Sequence, residues 1–121
     1  MVLAPFARGQ ALDSLSLARQ RDSLYLAADG IVALGDSCAE ADDCRAALDY
    51  YVRAGEIYRT IDGGQNLDYA DNLVDQGVCH FDLEDYRQSL ECHLAALGLY
   101  RSLLGEGDPA CAMEFENIGM C

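Results

Sequence analysis

DCRAALDYYVRAGEIYRTIDG, residues 43–63, falls without a gap on DYRQSLECHLAALGLYRSLLG, residues 85–105, when the chain is shifted by 42 residues. Asp43 meets Asp85, Arg45 meets Arg87, Leu48 meets Leu90, Ala54 meets Ala96, and Tyr58-Arg59 meets Tyr100-Arg101. The same shift carries Ala28 to Ala70 and Ala112, and Gly35 to Gly77 and Gly119. A fixed offset kept over three copies is the mark of a repeat array. The glycine-rich stretches IDGGQNL (61–67) and LLGEGDP (103–109) are then the seams between units.

Each unit reads as two helices. The first runs from about Asp22 to Ser37 and again from about Asn66 to Asp82, with Leu24, Ala28, Ile31 and Gly35 at helical spacing. The second runs from about Asp42 to Ile61 and again from about Asp85 to Leu104, with Leu48, Tyr51, Ala54, Ile57 and Tyr58 as its buried stripe. A third copy opens at Pro109, a residue suited to a first helical turn, behind the N-cap Asp108. Upstream, SLSLAR (14–19) matches ALGLYR (96–101), so residues 5–20 read as the second helix of an earlier, degenerate unit. The expectation is an all-α array in one domain: a helix over 5–20, units over 22–63 and 64–105, and a half unit over 108–121, six helices in all.

Small residues explain the pairing. Mid-helix glycine costs about 0.5–1 kcal/mol relative to alanine, so its recurrence at Gly35 and Gly77 predicts close helix approach. Ala47 with Ala54, and Ser89 with Ala96, offer the matching shallow surface. One hairpin cannot bury both of its faces, so stacked neighbours complete each other's core and the stack curls into a superhelix with a concave side.

With A-x4-D-Q-G at 70–77, A-x4-N-I-G at 112–119 and DYRQSLECHLAALGLYRSLLGEGDP at 85–109, the chain resembles the tetratricopeptide repeat family over residues 22–121. The 42-residue form seen in kinesin light chains is the nearest in stride. HEAT and armadillo arrays have similar periods, but the glycine spacing together with the LLGEGDP seam is not expected of them. Departures stand at Gln76, where the family usually has leucine, at Cys38 and His80, in place of an aromatic residue, and at His93, which gives up the aromatic position that Tyr51 keeps. The second unit is expected to be the softer one.

The resemblance implies recognition of a protein partner on a concave wall lined by the first helix of each unit. The residues carried over are Asp29, Val32, Asp36 and Glu40; then Asp71, Val74, Asp75, Val78, Phe81 and Asp82; then Met113, Glu116 and Met120. Aspartates alternate with apolar side chains, a lining suited to a basic and hydrophobic segment, with apolar burial for affinity and charge for orientation. On the last helix, Phe115 and Ile118 lack a hairpin partner and mark an end contact, as for a part of a longer protein or a subunit of a larger assembly. The alternative reading is a structural subunit that makes contact through its ends and convex face.

Composition bounds the rest. Twenty-one acids against eight arginines and no lysine give a net charge of −13, which excludes nucleic acid and anionic lipid as attractive partners. No apolar run approaches the ~20 residues of a membrane span, so a soluble protein is expected. Residues 1–21 hold three arginines against one aspartate, a surplus of two positive charges that leaves −15 for the remainder. That composition also suits an organellar transit peptide. Six scattered cysteines without a C-x-x-C fit free thiols in the cytoplasm or another reducing compartment.

Cys79-His80 and Cys92-His93 form a second alternative, a thiol or metal site. Adjacent helical residues point about 100° apart, so each dipeptide readily offers one ligand, whereas a structural zinc takes four. Both histidines are expected instead to fill aromatic slots with one nitrogen hydrogen bonded. No G-x-S-x-G, H-E-x-x-H or phosphate loop is present, and no enzymatic activity or cofactor is expected.

Overall fold

The computed structural model describes the backbone of residues 3–121 and the side chains from Asp13 onward. It contains α1 (Leu3–Glu40), α2 (Cys44–Tyr58), α3 (Leu67–Asp82), α4 (Tyr86–Leu104) and α5 (Pro109–Met120), with a short 3-10 turn at Ile61–Gly64 and no strand among the described residues. α1 packs on α2 and α3 on α4 as antiparallel hairpins, α2 meets α3 across the seam, and α5 lies on α4.

The expected break between residues 20 and 22 is absent: one helix covers both segments. Leu17, Ala18, Arg19, Gln20 and Arg21 are good helix formers, and neither glycine nor proline interrupts them. Five α-helices result rather than six. Leu24, expected in the core, is 38% exposed; its neighbour Tyr25 faces Tyr58, with ring centroids 6.3 Å apart. α2 ends at Tyr58, three residues short of the expected Ile61, because Asp62 and Gly63 take left-handed backbone angles.

The hairpin turns repeat in detail. Asp42 and Glu84, one stride apart, both adopt positive φ, and the next amides, of Asp43 and Asp85, donate back to the carbonyls of Cys38 and His80. That closure satisfies helix-end carbonyls. Helix starts differ more: the Asp43 side chain accepts from the Ala46 amide, Asn66 from Tyr69 and Asp108 from Ala110, whereas Asp85 makes no side-chain cap.

Ala28, Ala47, Ala54, Ala70 and Ala96 are fully buried, as is Ser89, whose hydroxyl donates to the Gly77 carbonyl at 2.8 Å. The close approach at the recurrent glycines involves a ring: a Cβ on Gly35 would stand 2.7 Å from Tyr51 Cε1, and one on Gly77 would stand 2.7 Å from His93 Nε2. Only glycine leaves room for these side chains without repacking.

Candidate recognition surface

The hairpin geometry brings three tyrosine hydroxyls of the second helices onto aspartates of the first. Tyr58 donates to Asp29 Oδ1 at 2.5 Å, Tyr100 to Asp71 Oδ1 at 2.5 Å and Tyr51 to Asp36 Oδ1 at 2.6 Å. The first two are one bond in two copies, each spanning 29 residues. Burial, the aspartate bond and surrounding carboxylates push all three hydroxyls well above the ordinary tyrosine range, so they stay protonated and donate. Asp29, Asp36 and Asp71, three of the expected wall residues, thus each receive a hydroxyl from the second helix while remaining exposed to solvent.

These acids form one electrostatic strip across α1 and α3. Burial, then Asp36 and Asp71, push the Asp75 carboxyl up to about 6. Burial, then Asp29 and Asp71, raise Asp68 in the same direction. Asp68 was not among the expected wall residues, although it lies three residues before Asp71, one helical turn away.

Of the remaining wall candidates, Val32 and Val74 are half-buried and pack against the core clusters. Val78 is 46% exposed, and Met113 and Met120 are each 63% exposed. Glu40, Asp82 and Glu116 are exposed, and Phe81 packs edge-on against Tyr86 at 5.2 Å between centroids. Phe115 is 51% exposed with the Arg101 guanidinium 5.1 Å from its ring centre, while Ile118 is half-buried against the α3–α4 core.

The Cys-His dipeptides do not converge. His93 Nδ1 lies 2.7 Å from Glu114 Oε2, with both side chains almost completely buried. Cys79 packs with Ala47 and Tyr51, and burial with neighbouring Cys44 and Asp75 pushes its thiol up to about 12. Burial and then Glu91 raise the Cys92 thiol. Thiols held protonated are poor metal ligands, and no three His, Cys, Asp or Glu side chains among the described residues are grouped to hold an ion. His80 departs from its expected role: its Nδ1 is buried without a hydrogen bond, and Asp85 Oδ2 stands 3.8 Å away.

Glu114 was missed by sequence reasoning. One stride earlier stands Asn72, equally buried, whose amide donates to the Tyr51 carbonyl at 2.9 Å and accepts from Gln76 at 2.7 Å. Gln76, where the family usually has leucine, thus holds Asn72 over Gly55, where a Cβ would stand 2.5 Å from Asn72 Oδ1. The legible signal was a polar residue held at one register position, Asn72 and Glu114, a stride apart.

No described helix is long and apolar enough to cross a membrane. A search of curated proteins finds no match. A family model described as tetratricopeptide repeat matches residues 26–102, more than half of the chain.

Proposed function

The chain belongs to the tetratricopeptide repeat family, whose arrays are protein–protein interaction modules, and from that premise we propose that it is a non-catalytic scaffold or adaptor that takes a basic, hydrophobic partner segment on its acidic concave face. The observation that carries this reading is Asp75. Its carboxyl is pushed up to about 6 by burial and by Asp36 and Asp71, an arrangement that a guanidinium or ammonium group would relieve. Exposed Val78 supplies an apolar contact on α3, and exposed Met113 and Met120 supply others on α5. Unbridged Cys38, Cys44, Cys79, Cys92, Cys111 and Cys121 support a reducing compartment.

The sign of the linkage follows from the direction of the shift. A carboxyl with a folded pKa above its unfolded value favours the folded state at low pH, and that contribution is lost as pH rises through about 6. A bound cation holds Asp75 ionised, so binding releases a proton and weakens as pH falls below about 6. Fluorescence anisotropy with an amphipathic arginine-bearing peptide tests this. Affinity for that peptide over its glutamate-substituted counterpart, reduced by Asp71→Asn with Asp75→Asn and by acidification from pH 7 to 5, is the expected result. Equal binding of both peptides, or binding indifferent to the double substitution, would sink the proposal.

A further inference from the structure

α5 presents the register face that α2 and α4 cover on the two preceding first helices. Ala28 and Ala70 are fully buried, but Ala112, at the same position, is exposed. Leu73 is 9% exposed and its counterpart Phe115 is 51% exposed. Gly35 and Gly77 each face a ring of the following helix, whereas a Cβ placed on Gly119 would meet no described atom outside its own helix within 4 Å. Ala112, Phe115 and Gly119 therefore form a preformed seat for a helix of the second type, and none of the described helices occupies it.

At the other end of the molecule, α1 carries a segment with the pattern of such a helix. α2 stops opposite Tyr25 and the Arg21 guanidinium pairs with Asp62 at 3.3 Å, so the eighteen residues from Leu3 to Gln20 extend past α2 by about 27 Å. Ser14, Leu17 and Ala18 of this overhang, with Arg21 at its root, line an open cleft with Ile61. Leu15 is 56% exposed and Leu17 is 65% exposed. SLSLAR (14–19) is also the stretch that matches ALGLYR (96–101) of α4, the helix that covers Ala70 and Leu73.

Charge selects the pairing. Arg21 is paired with Asp62 and Glu114 is buried against His93, so residues 1–20 carry Arg8 and Arg19 against Asp13, a surplus of one positive charge, whereas α5 presents Glu116 and no cation. Overhang against overhang, or α5 against α5, sets like charges together; only overhang against α5 sets opposite charges together. We propose that the chain associates with itself head to tail, the α1 overhang of one copy lying along the Ala112–Phe115–Gly119 face of the next. The contact is heterologous, so it propagates into a chain or closes into a ring.

Sedimentation velocity over micromolar to near-millimolar concentrations tests it, with circular dichroism confirming that each variant is folded. Gly119→Leu fills space that is empty in the single chain and leaves its fold intact, and Leu17→Asp alters an exposed side chain. Each is expected to weaken association about tenfold or more, equivalent to ~1.4 kcal/mol. Because each variant keeps one intact surface, an equimolar mixture of the two is expected to form a dimer and stop there. A monomer throughout the range, association indifferent to both substitutions, or a mixture no more associated than its components would overturn the proposal.

Discussion

The two hairpins use the same ring position in opposite ways. In the first, Tyr51 fills the notch at Gly35 and gives its hydroxyl to Asp36, on its own first helix. In the second, His93 fills the notch at Gly77 but turns its Nδ1 forward to Glu114 on α5. One stride after Asp36 stands Val78, which accepts nothing, so the imidazole finds its partner in the next unit. The first hairpin closes its polar contact within itself; the second commits it to its neighbour. A single change of ring chemistry converts an intra-unit bond into an inter-unit one.

The largest effect that would break this comparison is expected from Glu114→Ala. Removing one member of a buried, hydrogen-bonded pair costs about 3–5 kcal/mol, and α5 should lose amide protection in hydrogen exchange before α3 and α4 do. The matching change in the first hairpin, Asp36→Ala, leaves the Tyr51 hydroxyl beside exposed groups and should cost about 1 kcal/mol. Equal losses in urea unfolding would remove the distinction between the hairpins.

Next in size are the two glycines. Gly35→Ala and Gly77→Ala each force a Cβ to within 2.7 Å of a ring atom, and overpacking of this kind costs about 1–3 kcal/mol. The Gly77 variant should be distinguished by a displaced His93, visible as a shift of the imidazole resonances in NMR. If both variants melt at the wild-type temperature, the close approach is not what selects glycine.

The smallest effect sharpens the part the hairpins share. Tyr58→Phe and Tyr100→Phe remove equivalent hydroxyls, each bonded at 2.5 Å to an aspartate. Each should cost about 0.5–1.5 kcal/mol, and the two costs should agree within about 0.5 kcal/mol. Unequal costs would show that the stride conserves the geometry without conserving the energy.

Much of the fold was legible because the 42-residue offset repeats in residues that have to be small. Ala28 and Ala70, Ala54 and Ala96, and Gly35 and Gly77 mark the helix faces that meet. The continuity of α1 was not legible from the repeat pattern, since SLSLAR resembles a second helix whether or not the chain turns after it; only the lack of a breaker near Gln20 announces the single helix. The aspartates were legible as positions but not as bonded groups, because periodicity assigns a face and says nothing of how far a hydroxyl reaches across it. The recurrence of the Tyr58–Asp29 spacing as Tyr100–Asp71 was the available clue. His93 was legible as a ring in an aromatic slot with one nitrogen hydrogen bonded, but its partner was not, because Glu114 stands one stride after Asn72 with a different polar group and a different contact.

Asn66 has a mechanical consequence. Its carbonyl oxygen accepts the Tyr69 amide at the start of α3, while its amide group donates to the carbonyls of Tyr58 and Ile61 at the end of the first unit. One side chain thus grips both sides of the first joint. At the second joint the same station holds Asp108, a carboxylate with nothing to donate backward, and it grips only the Ala110 amide. The two joints are therefore tied differently: one side chain clasps both sides where the first unit meets the second, whereas the start of α5 is held by separate contacts, Asp108 to Ala110 and Cys111 back to the Gly105 carbonyl.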